Sequence, residues 1–573
     1  MKMDNIVEKN FERWMKSDKL SEEEKETLRA MNEEERSDAF FQDAEFGTGG
    51  MRAKIGLGTN RINKYVIRRV TIAFGMYLKK VCKDIENKGV VISHDNRFFS
   101  RDFAIEAANI LNEEGIKAYL FDSLRPTPEL SYGVRYMHAG GGIMITASHN
   151  PKEYNGYKIY DETGCQLIPS QVDGLLDILN GLPNELEIEV PLASKKGETI
   201  ILPKEVDDTY CKLVEGCQLN PDMKKDDFKI IYSPQHGTSY ENAMRVFHDC
   251  GYQIIPVVKQ CIHDPAFGGT LSPNPETAES FIESIKLAKE EHANLCVMTD
   301  PDGDRCGLAY LSSKGEYERF TGNQSAALLL DYLLSERKKK GTLSSNGVIY
   351  DTIVSSDLAR KIAKSYGVGV ESFLTGFKYI GNRIGYYEKI GHGPHFEFGY
   401  EESYGCLIEP FVRDKDGIQA ILLYCEMALH YYRQGIPLDV AYDNLEKKYG
   451  YHSSQTLSVY FEGEKGHADM IALLEHVHSC PLKEVYGKRI VWIEDYETSI
   501  SKNVITGEEK PIALEKSNVI RYLFEDSSWI AIRPSGTEPK CKFYLEVFQK
   551  EKKGIEEAAK GMMDSLKEQL HLK

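Results

Sequence analysis

At 573 residues the chain is too long for one core, and its 41% hydrophobic and 28% charged content is ordinary for a globular protein, so several domains are expected. A formal net charge of −17 excludes a general nucleic-acid or membrane-surface binder, and no apolar run approaches the length of a membrane span. An anionic small molecule stays open because Lys and Arg gather locally over 533–542.

Met1 to Glu8 runs into charged residues with no apolar core region, so no signal peptide is expected. The 12 cysteines are scattered without Cys-x-x-Cys or Cys/His ligand spacing, which predicts reduced, mostly buried thiols and a cytoplasmic protein. Residues 1–40 read as a polar helical arm, with Ser21 as a helix cap before Glu22, Glu23 and Glu24. Phe46 to Arg52 is too glycine-rich for helix or strand and reads as a loop. Strand and helix then alternate. Val90–Ser93, Ser100–Gly115 and Ile116–Phe121 form one round; Lys229–Tyr232, Ser239–Gly251, Tyr252–Val257 and Leu295–Met298 another; Val348–Asp351, Asp357–Gly367 and Val368–Phe373 a third. Such alternation predicts α/β layers with substantial parallel pairing, in three weakly related thirds. From about Gly450 the rhythm changes and a separate α+β domain is expected.

Two segments carry chemistry. Ser148 follows the apolar run Gly-Gly-Ile-Met-Ile and is itself followed by His149, an Asn-Pro turn and Lys158, which predicts a hydroxyl exposed on a loop. A serine needs activation to act as a nucleophile, or carries a phosphate already. Taken alone, Ser-His-Asn-Pro reads as a strand-end serine capping a turn. Asp300, Asp302 and Asp304 place three carboxylates at alternate positions with Pro and Gly between, the pattern of a tight loop around a hard cation such as Mg²⁺. An EF-hand fails, since Arg305 stands at its sixth position and Leu311 at its twelfth. A solvated acidic turn is disfavoured by mutual repulsion behind the apolar run 295–298. A serine nucleophile beside a hard-cation site points to phosphoryl transfer.

The extended Thr-Ala-Ser-His-Asn-Pro…Asn-Gly-Tyr-Lys and the Asp-Pro-Asp-Gly-Asp-Arg loop resemble those of the α-D-phosphohexomutases, over nearly the whole chain and most closely their phosphoglucomutase branch in its long form. The resemblance implies four domains around a central cleft, three related α/β domains and a C-terminal α+β domain, over 1–205, 206–313, 314–447 and 448–573. It implies that Ser148 is the phosphorylated residue, that His149 orients its loop, and that Lys158 is a general base or electrostatic partner. Asp300, Asp302 and Asp304 would bind Mg²⁺ with the phosphoserine oxygen, and Arg52 and Arg305 would face the substrate. His94 to Arg97 and Gln235 to Thr238 also match, as structural support for these loops. Glu401 and Ser403 in Gly-Tyr-Glu-Glu-Ser-Tyr-Gly match the sugar-binding loop, and Thr375, Gly376 and Lys378 a segment that contacts the sugar phosphate. Arg533, Ser535, Gly536 and Thr537 match the distal phosphate clamp, where Lys542 replaces a frequent arginine and loses its bidentate fork.

One departure is informative. Bifunctional relatives carry a histidine proton donor in the sugar loop, where Gly405 stands here; Arg413 to Gly417 resembles the phosphoglucomutase segment that supplies a lysine instead, which makes Lys415 the proton-transfer partner, against the plain alternative of a surface lysine paired with Asp414 or Asp416. The implied activity is an isomerase, an intramolecular phosphotransferase interconverting α-D-glucose 1-phosphate and glucose 6-phosphate through glucose 1,6-bisphosphate, with the C-terminal domain moving as a lid. Phosphomannomutase, phosphopentomutase or bisphosphosugar synthase are the alternatives within the class; a serine-dependent phosphatase and a non-catalytic binding relative lie outside it. The partner is a small phosphosugar, and a monomer is expected with a dimer left open, because no heptad pattern or long apolar helix stands out.

Overall fold

The computed structural model describes residues 2–47, 50–461, 463–535 and 540–572. The chain divides into two compact units: unit 1 holds Met1–Arg319, Ile380–Gly393 and Tyr404–His430, and unit 2 holds Phe320–Tyr379, Pro394–Ser403 and Tyr431–Lys573.

Unit 1 opens with helices Lys2–Lys16, Glu22–Ala30 and Glu33–Phe40. Ser21 forms a capping box with Glu24, as its position before three glutamates predicts. The arm also has a core: Trp14, fully buried, meets Phe40 and Tyr65 edge to face and donates its indole N–H to Glu185 at 2.7 Å.

The first sheet comprises β1 (Phe46–Gly47), β2 (Gly50–Lys54), β3 (Val90–His94), β4 (Ala118–Leu120), β5 (Gly141–Ile145), β6 (Tyr154–Asp161) and β7 (Thr199–Ile201), in the order β1-β2-β6-β5-β3-β4-β7. β3 is parallel to β4 and β5, while β6 runs antiparallel to β5 and β2. The loop expected over Phe46 to Arg52 is therefore corrected: Gly50 to Arg52 lie on a strand, and Thr48 and Gly49 fall outside the described residues. Glycine serves close approach here, since a Cβ on Gly50, at φ 94°, would collide with the Tyr157 carbonyl of β6.

The second sheet holds β8 (Lys229–Ser233), β9 (Gln253–Pro256), β10 (Leu295–Thr299), β11 (Cys306–Leu311) and β12 (Tyr317–Arg319), in the order β12-β11-β10-β8-β9. β8 is parallel to β9 and β10, and β10 and β11 form an antiparallel hairpin whose turn is the acidic segment. β10 is buried along its whole length, as its unbroken apolar run predicts.

In unit 2, β13 (Gly347–Thr352) lies parallel to both β14 (Gly369–Phe373) and β15 (His395–Glu401). The short strand β16 (Gly405–Leu407) belongs to unit 1. The final sheet is antiparallel and bears out the change of rhythm after Gly450. It contains β17 (Tyr451–Tyr460), β18 (Glu484–Val485), β19 (Lys488–Asp495), β20 (Ile500–Asn503), β21 (Glu509–Pro511), β22 (Ile520–Phe524), β23 (Trp529–Pro534) and β24 (Lys540–Gln549), with β18 as a short partner of β19. Ile353, Val354 and Leu374 share an apolar cluster with Tyr496, Val519, Trp529, Ala531 and Tyr544 of that sheet and its loops.

One packing site in unit 1 makes folding pH-dependent. Helix Lys64–Val81 approaches helix Ser100–Glu113 at Gly75, where an added Cβ would lie 2.6 Å from the buried Glu114 carboxylate. Burial pushes the Glu114 carboxyl up to about 7 despite Lys79, whose ammonium lies 3.3 Å away. The folded state holds that proton more tightly than the unfolded chain, so stability falls as pH rises from about 4.5 through about 7. Glu114→Gln is expected to gain on the order of 1–3 kcal/mol above that window and little below it. Urea unfolding of both proteins at pH 8 and pH 4.5 checks this; an equal difference at the two pH values would contradict it.

Candidate functional site

Ser148 lies three residues beyond β5 in the left-handed backbone region, at φ 53°, where a residue with a Cβ is strained. Contrary to the expectation of an exposed hydroxyl, it is 1% exposed. Its Oγ donates to Asp300 Oδ2 at 2.8 Å and lies 3.1 Å from His149 Nδ1, and its N–H donates to Thr146 Oγ1 at 2.8 Å.

Arg97 holds this loop. Its guanidinium donates to four carbonyls: Ser148 at 2.7 Å, Asn150 at 2.6 Å, Pro151 at 2.8 Å and Tyr154 at 2.9 Å. Asp95 fixes the guanidinium through Nε at 3.1 Å and also accepts from the Thr146 and Ser100 hydroxyls, each at 2.7 Å. The Phe267 ring faces Arg97 at 5.1 Å. The support role expected of this segment is therefore concrete: one buried ion pair is built into the loop. Arg52, on β2, donates to the Asn150 side chain at 3.3 Å.

The acidic turn is short. Gly303, at φ 70°, donates to the Asp300 carbonyl at 3.0 Å, and Asp300 N–H donates to the Arg305 carbonyl at 3.2 Å. Asp300, Asp302 and Asp304 are buried, and a ligand oxygen from each falls within 4.8 Å of the others; among the described residues no other His, Cys, Asp or Glu group has such an arrangement. Burial pushes the Asp300 carboxyl well up, and its two neighbours add to that. Burial would raise Asp302 as well, but the Lys158 ammonium at 2.7 Å overrides it and holds that carboxyl far below the usual range. Lys158 also lies 3.6 Å from Asp304, so this geometry makes it an electrostatic partner of the carboxylates. Lys415 lies 3.2 Å from Asp304 and 3.1 Å from Asp414. Asp302 Oδ1 and Asp304 Oδ1 are buried with no hydrogen-bond partner. Two orphaned carboxylate oxygens are what a hard cation with oxygen ligands requires, so the residues fit Mg²⁺. Arg305 is paired with Glu276 at 2.7 Å.

Unit 2 brings together the sugar-loop and phosphate-loop residues. Gly376 N–H donates to Glu401 Oε1 at 2.8 Å, which ties the Thr375–Lys378 segment to the end of β15. Lys378 is buried, with its ammonium 5.3 Å from the Tyr379 ring. Ser403, two residues past β15, is half-buried. Glu402, which sequence reasoning passed over, accepts from Thr352 Oγ1 at 3.1 Å; burial and Glu401 push its carboxyl up, against the weaker pull of Lys542 and Arg533. Arg533 and Lys542 are directly opposed on β23 and β24. Like charges opposed on an antiparallel pair repel, and an anion between them would remove the repulsion. Ser535 N–H closes the loop onto the Lys540 carbonyl at 2.8 Å, while Gly536 and Thr537 lie outside the described residues.

Layered α/β sheets with an antiparallel C-terminal sheet, a serine on a buried carboxylate trio and a separate basic strand pair define a multidomain phosphotransferase of the α-D-phosphohexomutase kind. Comparison with known proteins agrees. The three α/β/α domains of the phosphoglucomutase/phosphomannomutase family match residues 43–185, 208–312 and 321–449, and its C-terminal domain matches 498–560. A phosphoglucomutase of Staphylococcus epidermidis is 37% identical over 517 residues, covering 90% of this chain and 92% of the relative. One from Staphylococcus aureus is 36% identical over 516 residues, covering 90% and 91%. Among solved structures, the open form of the Paramecium phosphoglucomutase parafusin has a TM-score of 0.65 at 18% identity, covering 92% of this chain and 94% of that one. A phosphoglucomutase/phosphomannomutase family protein of Burkholderia thailandensis has a TM-score of 0.64 at 17% identity, covering 91% and 97%. The chain belongs to the phosphoglucomutase/phosphomannomutase family, as an isomerase of the intramolecular phosphotransferase type.

The Arg97 clamp yields a prediction. Lysine keeps the charge but cannot reach four carbonyls, so Arg97→Lys is expected to fold and to lose roughly 100-fold in kcat. Turnover assays on a variant with parent-like circular dichroism check this; parent-like kcat would contradict it.

Proposed function

We propose that the protein interconverts α-D-glucose 1-phosphate and glucose 6-phosphate, with Ser148 as the phosphoryl carrier and glucose 1,6-bisphosphate as the intermediate. The observation that carries this reading is the Ser148 hydroxyl, 2.8 Å from Asp300, at the edge of a carboxylate trio with two orphaned oxygens. A hydroxyl so placed becomes, once phosphorylated, a dianion beside acids that demand a cation. Mg²⁺ held by Asp300, Asp302 and Asp304 would supply charge neutralisation to the transferring group.

In the first transfer the Oγ–P bond breaks, a sugar O–P bond forms, and one proton passes net from the sugar hydroxyl to Ser148 Oγ; in the second a sugar O–P bond breaks, the Oγ–P bond re-forms, and the proton passes from Ser148 Oγ to the sugar oxygen. Lys415 handles the proton at the sugar oxygen. Lys158 balances Asp302 and Asp304, and His149 holds the serine oxygen. The bisphosphate then reverses its orientation and returns its other phosphate to Ser148. Glu401, Ser403, Thr375, Gly376 and Lys378 recognise the sugar side. Arg533, Ser535, Gly536, Thr537 and Lys542 hold the phosphate that is not being transferred, and Arg52 and Arg305 complete the substrate contacts. The 37% identity to proteins named phosphoglucomutase supports glucose as the sugar.

The test is a coupled assay supplying glucose 1-phosphate, Mg²⁺ and a trace of glucose 1,6-bisphosphate, read as glucose 6-phosphate. Turnover is expected to exceed that with mannose 1-phosphate or ribose 1-phosphate, to vanish with chelator, and to fall at least about 10³-fold in Ser148→Ala. Retained turnover in Ser148→Ala would overturn the mechanism, and a preference for mannose or ribose phosphate would overturn the substrate.

A further inference from the structure

The segment Arg413 to Gly417 is wedged on every side. Arg413 pairs with Glu388 at 2.6 Å, and its N–H donates to Ser131 Oγ at 2.9 Å. Asp416 caps helix Gly417–Arg433 by accepting from the Ile418 and Gln419 N–H groups, each at 3.0 Å, and also takes the Tyr210 hydroxyl. A Cβ on Gly417 would lie 2.6 Å from the Gly303 carbonyl. Lys415 is therefore set on a rigid turn against the acidic hairpin. Its stem fills the space beside Gly405, where an added Cβ would come 2.9 Å from Lys415 Cγ and closer still to Cδ. A side chain at 405 and this placement of Lys415 exclude each other.

What aims the amine is Asp414, its neighbour in the motif, together with Tyr160, which no motif marks. Asp414 accepts from Lys415 Nζ at 3.1 Å and from the Lys415 N–H at 2.8 Å with one oxygen, and from the Tyr160 hydroxyl at 3.1 Å with the other. Tyr160 is fully buried on β6, two residues beyond Lys158. Alternate residues of a strand share a face, so one face of β6 delivers Lys158 to Asp302 and Tyr160 to Asp414.

We propose that Tyr160 and Asp414 form a positioning pair for Lys415, fixing its amine on the Asp304 side of the site. This rests on the reading of Lys415 as the proton-transfer partner. Asp414 is locked from both sides, so the amine has one orientation in which to meet a sugar hydroxyl. Neither residue touches substrate in this account; both act through Lys415.

The experiment is a double-mutant cycle on the full-length enzyme with Mg²⁺ and saturating glucose 1,6-bisphosphate. Tyr160→Phe and Asp414→Asn are each expected to lower kcat about 10-fold, with the KM for glucose 1-phosphate within about twofold of the parent. Lys415→Met, which keeps a stem beside Gly405, is expected to lower kcat further. In that background neither substitution should cost a further factor of about two, because the group they position is gone. A purely structural role would repeat the same loss in both backgrounds and would overturn the pair, as would singles with parent kcat. Parent-like turnover in Lys415→Met would instead overturn the assignment of Lys415. Should Asp414→Asn fail to fold, Tyr160→Phe, which keeps the buried ring, carries the test alone.

Discussion

Three carboxylates buried within one turn are the constraint on which the site depends. Like charges packed behind β10 cannot all ionise unless cations are brought to them. The structure answers with Lys158 and Lys415 from two distant segments, and still leaves Asp302 Oδ1 and Asp304 Oδ1 without hydrogen-bond partners. The trio splits accordingly, Asp300 pushed up and Asp302 held down by its lysine. A buried acidic group so incompletely balanced is costly in a resting protein and useful to one that must receive a cation and a phosphoryl dianion.

The same economy governs the serine loop. Ser148 occupies a strained backbone conformation, and the loop stays there because Arg97 binds four of its carbonyls while Asp95 binds Arg97. Backbone strain persists only where its surroundings over-determine it. Asp95, Arg97, Thr146 and Ser148 form one connected set, so a disturbance at Asp95 reaches the hydroxyl through two routes.

What the sequence made legible was local. The alternation of strands and helices, the Ser21 cap, the acidic turn and the serine loop are each written in contiguous residues, and they stand where the spacing puts them. The glycine-rich stretch around Gly50 misled, because Phe46–Gly47 and Gly50–Lys54 are strands and the glycine at 50 serves close approach to β6. The distant partners of the motif residues were invisible for a different reason. Tyr160 and Asp414 are 254 positions apart, and Arg97 meets the carbonyls of its loop more than 50 positions downstream. No local pattern encodes such pairs. Glu402 was passed over because nothing local separates it from its neighbour Glu401, whereas Thr352, Lys542 and Arg533 give it a defined environment.

The most direct measurement is the location of the phosphate on the protein itself. The purified enzyme would be incubated with glucose 1,6-bisphosphate, quenched, digested and mapped by mass spectrometry. One phosphate per chain is expected, on the peptide containing Ser148. Phosphate on a different residue, or full turnover with Ser148 never phosphorylated, would contradict it.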